Sequence, residues 1–136
     1  MKEHSVELAV HRIERAEEHL RASKELLTKG YYLDSVSRSY YSALSAARAI
    51  LATIGRDSAK HSGVISIFDK SFVKEGKLSV DSSRILHELK DYREKADYAD
   101  YPEITEEIAT NETFKAERFL HEVKRYVESC KVQEEG

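Results

Sequence analysis

The sequence predicts an all-α fold, an antiparallel up-and-down bundle of four long helices plus one short helix. Three observations predict it. The 136 residues include one proline and five glycines, so few chain breakers that long helices can run uninterrupted. Apolar residues recur at three- and four-residue spacing over long segments. No window shows the period-two alternation of a half-buried strand. The length suits a single domain, taken as residues 1–130, with a polar tail over 131–136 that should fray.

The first helix is expected from Ser5 to Lys29, with Val6, Ala9, Val10, Ile13, Ala16, Leu20 and Leu27 on its apolar face. Gly30 stops it. The second should run from Asp34, a candidate cap, to Ile54. Its stripe of Leu33, Val36, Tyr40, Leu44, Ala47, Leu51 and Ile54 is widened by Ala43, Ala46 and Ile50. A broad stripe rich in small residues marks a central helix packed on more than one neighbour. A shorter third helix, Ser62 to Val73, turns Val64, Ile65, Phe68, Phe72 and Val73 inward, with Ser58 or Ser62 as its cap. The fourth starts at Val80, capped by Ser79 or Asp81, carries Ile85, Leu86, Leu89, Tyr92 and Ala96, and ends near Tyr101. There Pro102 pushes the preceding residue out of the α region. Pro102 should then open the fifth helix, followed by Glu103, Glu106 and Glu107 at its positive end. That helix turns Ile108, Thr113, Ala116, Phe119, Leu120, Val123 and Val127 inward.

The formal net charge is -3, which argues against a general nucleic-acid coat. Residues 35–80, however, hold seven Lys and Arg against three Asp and Glu, a local +4 that suits an anion or phosphate site. Cys130 is the only cysteine, so no intrachain disulfide or thiolate cluster can form. The charged N-terminus does not read as a signal peptide, and no apolar run approaches the roughly 20 residues that cross a bilayer. No membrane association and a cytoplasmic location are expected. No metal motif, glycine-rich phosphate loop or nucleophile elbow appears, and no cofactor is expected.

Three stretches carry chemistry. "SRSYYSALSAARAIL", Ser37 to Leu51, puts Tyr40 on the apolar stripe and Tyr41 beside it, with Arg38 on the polar flank. It reads as core with a hydrogen-bonded tyrosine at its edge, or as a basic-aromatic face for a partner. "GRDSAKHSGVISIF" sets Lys60 and His61 at a helix N-terminus, where free N–H groups and the helix dipole favour an anion. The bland alternative is a histidine that caps or packs at a loop. "KDYREKADYADY" places Arg93 beside the apolar stripe of the fourth helix, with Asp97 one turn on as a partner and Tyr92, Tyr98 and Tyr101 around it. It reads as an ion pair with tyrosines closing the bundle end, or as a site.

Together, "SRSYYSALSAARAIL", "KHSGVISIFDKSFVKEG" and "YREKADY" resemble the HEPN superfamily, specifically its small prokaryotic UPF0332-type proteins. The resemblance implies a helical bundle, often a homodimer, encoded beside a minimal nucleotidyltransferase. In its toxin branch it implies a metal-independent ribonuclease whose motif is an Arg, four to six residues, then a His. Arg93 matches the Arg. At the His position this chain has Tyr98, and Asp100 stands where the toxin branch has a tyrosine. Tyrosine titrates near 10 and is a poor base at neutral pH, so a ribonuclease would need the imidazole of His61. The expected function is therefore an RNA-, nucleotide- or nucleotidyltransferase-binding module. The alternative is a ribonuclease toxin using Arg93 with His61 or Tyr98. Lys60, His61, Arg38 and Arg93 are the anion-binding candidates. In a dimer, the paired Arg93 and Asp97 would face one cleft rimmed by Tyr98 and Tyr101.

Overall fold

A computed structural model describes residues 3–100 and 102–135. The chain forms α1 (Glu3–Thr28), α2 (Tyr32–Ala52), α3 (His61–Phe68), a π-helical turn continuing α3 (Asp69–Val73), α4 (Val80–Tyr98) and α5 (Glu106–Glu135). The four long helices and one short one form an all-α bundle. α1 lies along α2, α5 packs on both, α4 crosses α2 and α5, and α3 leans on α2.

The connections follow from local chemistry. Gly30 takes φ +84 and ends α1. Its N–H bonds Leu27 O at 3.1 Å and that of Tyr31 bonds Leu26 O at 2.9 Å, satisfying carbonyls the helix leaves open. α4 begins on the Ser79 hydroxyl, which accepts the Ser82 N–H at 3.0 Å.

Several ends differ from expectation. Asp34 lies inside the first turn of α2, and the cap position falls to Tyr31 with no side-chain bond. Lys60, not Ser58 or Ser62, occupies the cap position of α3. Pro102 lies outside α5, because the Thr105 hydroxyl accepts the Ile108 N–H at 3.2 Å and starts the helix there. α5 continues through residues 131–135, expected as a frayed tail, since Lys131, Gln133 and the glutamates there are good helix formers. Leu33 and Ile54, expected in the core, are 41% and 40% exposed at the ends of the α2 stripe.

α2 is the central helix: 13 of its 21 residues are buried. Ala43, Ala46, Ala47 and Ala49 let neighbours approach closely, and Tyr40, Ile50 and Leu51 fill the gaps between them. Phe68 meets Phe119 at 5.3 Å between ring centroids and joins α3 to α5. One part of the core is polar. The Ser23 hydroxyl, from α1, lies 3.2 Å from Ser35 Oγ, 2.7 Å from Ser39 Oγ and 2.9 Å from Thr113 Oγ1. It also donates to Ser35 O at 2.9 Å. Each of these buried hydroxyls has a partner. Glu112, next to Thr113, is different: its side chain is 2% exposed and, among the described residues, its one close polar partner is Lys115 Nζ, 3.2 Å from Oε2 at a poor hydrogen-bond angle.

Candidate functional site

The site forms where α4 passes the start of α3 and the aromatic pair of α2. Leu89 and Ala96 hold α4 on the core. Arg93, between them, therefore reaches across to α2. Its guanidinium carbon lies 5.4 Å from the Tyr40 ring centroid and 4.9 Å from that of Tyr41. Both are cation–π contacts. Arg93 Nε is 3.0 Å from Asp97 Oδ2, an i,i+4 ion pair. The angle is wrong for a hydrogen bond, however, and the buried Nε has none. The Arg93 side chain is 24% exposed, and among the described residues only Asp97 pairs with it.

His61, the first residue of α3, meets the same tyrosines from the other side. Its Nδ1 lies 3.0 Å from the Tyr40 hydroxyl, and either group can donate. The Tyr41 ring stands edge-on to the imidazole at 6.0 Å. Burial, and then the positive charges of Arg93, Arg48 and Lys90, hold the imidazole below its ordinary value. It is therefore neutral at pH 7. Burial pushes the Tyr40 hydroxyl up to about 12 against the opposing pull of Arg93. Tyr40 thus keeps its proton and anchors either tautomer of His61.

The loop before α3 is tied down from two sides. Asp57 takes Arg48 Nε at 3.2 Å and Arg12 at 3.0 Å. Its carboxyl is held at about 2, chiefly by the hydrogen bond from Arg48. Ser58 then folds back over Gly63. A Cβ at Gly63 would meet Ser58 Oγ at 2.1 Å and Ser58 Cβ at 2.8 Å. Gly63→Ala is therefore expected to destabilise the protein by about 1–3 kcal/mol and to shift His61. Chemical denaturation checks this, with Ser58→Gly in the same chain restoring most of the loss. Wild-type stability in the single variant would show that the loop yields freely.

The other expected site residues are spread more widely. Arg38 donates to His19 Nδ1 at 3.2 Å, and His19 sits 6.0 Å from Tyr41, extending the basic-aromatic face along α2. Burial and then Arg38 lower the His19 value, consistent with a neutral ring accepting that bond. Lys60 is exposed beside His61. Tyr98 is 86% exposed, and among the described residues its ring stacks on neither Tyr40 nor Tyr41. Tyr92 turns to another face, where it lines a groove with Lys95, Ala96, Ala99 and Pro102. Tyr101 lies outside the described residues. Sequence reasoning missed His19, and also missed Lys90, one turn before Arg93. The three-residue step from Lys90 to Arg93 on one helix face was the available signal for the second of these.

Arg93, His61, Tyr40 and Tyr41 bring together groups of the kind that receive a nucleotide. A guanidinium supplies two N–H donors in a fork, the imidazole supplies a donor or a base, and the aromatic surface is suited to stacking a base. Among the described residues, no helix is long and apolar enough to cross a membrane.

A family model for the HEPN domain matches residues 9–126. A Methanocaldococcus jannaschii protein named "Putative toxin MJ0605" is 40% identical over 114 residues, covering 83% of this chain and 84% of its own. A second from that organism, "Putative toxin MJ0142", is 38% identical over 115 residues, covering 85% and 78%. A Thermotoga maritima UPF0332 protein is 32% identical over 117 residues, covering 86% and 89%.

Proposed function

The chain belongs to the HEPN domain family, and from that premise we propose that it is a toxin-type module that binds RNA through Arg93, His61, Tyr40 and Tyr41. Its partner in a toxin–antitoxin pair would be a minimal nucleotidyltransferase, and it would act as a homodimer in the cytoplasm. One observation carries the reading: a partly exposed guanidinium, ion-paired with Asp97 through Nε, lies on two tyrosine rings that also meet an imidazole. The names of its relatives as toxins point the same way. Arg93 would grip the non-bridging oxygens of one phosphodiester, and Tyr41 would stack a base.

A second reading, metal-independent RNA cleavage, is favoured by the position of His61. An attacking 2′-hydroxyl passes its proton to the neutral imidazole, and the new 2′-O–P bond displaces the 5′-oxygen, which takes a proton from water. Arg93 offsets the charge that develops on the phosphate oxygens. Tyr98, solvent-exposed, is left out of both readings.

Purified protein tests both in one tube. Single-stranded RNA should bind with strong salt dependence. Cleavage products formed in chelator, and lost in His61→Ala, support the second reading; intact RNA leaves the first alone. No RNA binding at low salt overturns the proposal. Co-purification with a co-expressed nucleotidyltransferase examines the pairing.

A further inference from the structure

An unassigned groove lies between α3 and α4 beside this site, lined by Ser62, Ser66, Lys70, Lys74, His87 and Lys90. We propose that it carries the sugar-phosphate backbone of the RNA strand away from Arg93, as a second phosphate subsite. This rests on the RNA-binding reading and extends it. The groove adjoins the site, since its Ser62 follows His61 in the chain and its Lys90 lies one turn before Arg93 on α4.

The row Ser62, Ser66, Lys70, Lys74 advances four residues at a time. On a regular α-helix with about 3.6 residues per turn, such a row drifts around the axis by about 40° per step. Here the drift is interrupted. The Lys74 N–H bonds Asp69 O at 2.8 Å, an i+5 closure that makes the turn Asp69–Val73 wider. The wider turn brings Lys74 back toward the line of Lys70, and all four residues line the groove. Among the described residues, neither Lys70 nor Lys74 has a carboxylate within ion-pair distance, and Lys90 holds Glu94 only at 3.7 Å. The one carboxylate lining the groove, Asp69, is occupied. Ser83 Oγ donates to its Oδ1 at 2.6 Å, and His87 Nε2 lies 2.6 Å from its Oδ2. Hydroxyls followed by free ammonium groups along one groove are the partners a phosphate backbone receives, and they carry no base preference.

The test compares wild type with Lys70→Gln/Lys74→Gln by fluorescence anisotropy, on an RNA of about 12 nucleotides and on a dinucleotide. With both ammonium groups removed, the longer RNA should bind roughly tenfold more weakly at low salt, with a log–log salt slope smaller by about 1.4. Dinucleotide affinity should not change. A control with Lys29→Gln/Lys131→Gln, at the ends of α1 and α5, should leave both ligands unaffected. Unchanged affinity and slope for the longer RNA overturn the groove while the Arg93 site stands. So does an equal loss in the control pair, which would reduce the effect to net charge. If wild type binds neither RNA, the groove and the RNA-binding reading both fall.

Discussion

Arg93→Ala is expected to weaken RNA binding by roughly 10- to 100-fold, the worth of one charge-assisted, forked phosphate contact. Arg93→Lys should recover only part of this. An ammonium has no planar fork to match two phosphate oxygens and stacks less well on Tyr40 and Tyr41. The fold should survive either change. Asp97, which loses its partner, is 44% exposed and can be hydrated where it stands, and exposed pairs of this kind contribute about 0–1 kcal/mol. A parallel thermal melt separates the outcomes. Lost binding at an unchanged melting temperature supports a ligand-gripping role. Retained binding, or a collapse in stability, would mean that Arg93 serves the bundle.

Glu112→Met is expected to stabilise the protein by about 1–4 kcal/mol at neutral pH, contrary to the usual effect of a core substitution. Glu112 is nearly inaccessible and, among the described residues, neither oxygen has a well-aligned hydrogen bond. Lys115 Nζ comes within 3.2 Å, but without the angle of a hydrogen bond, and it lies 3.5 Å from Glu88 as well. Removing Glu112 therefore does not strand the lysine, which keeps Glu88 and is itself 28% exposed. Burial raises the Glu112 carboxyl above its ordinary value, with Lys115 opposing. The folded chain thus holds this proton at pH values where the unfolded chain has released it, and wild type loses stability as pH rises through that window. The gap between the variant and wild type should be small well below the ordinary glutamate value. It should widen from there upward and level off once folded Glu112 is ionised. Urea titrations across pH measure it. A variant less stable than wild type at pH 7 would mean that the Glu112–Lys115 pair is a net support.

Much of the bundle was legible because burial imprints its period on the chain. The stripe of α2 and the inward residues of α5 from Ala116 to Val127 could be read from spacing alone. Arg93 with Asp97 was legible for the same reason, as both lie on one helix. The convergence of Arg93 with His61 was not. It depends on how α4 crosses α2 and on where a loop tied by Asp57 delivers α3, and no periodicity encodes either. Glu112, Ser23 and Ser39 escaped for the opposite reason: polar residues read as surface, and only packing reveals that these are inside. The start of α5 was misplaced because two signals competed, and the Thr105 hydroxyl bond prevailed over the dihedral preset of Pro102.

The cluster of Ser23, Ser35, Ser39 and Thr113 constrains how this protein can change over generations. An interface of leucines tolerates substitutions one by one, each adding its own modest loss. Here each hydroxyl has at least two partners, so a first replacement leaves its neighbours bonded, whereas a second can orphan one, as Ser39 would be without both Ser23 and Thr113. Replacing all four together by apolar residues of similar shape removes the orphan along with the bond. The cost therefore grows with each step instead of adding evenly, and the four positions are coupled across α1, α2 and α5.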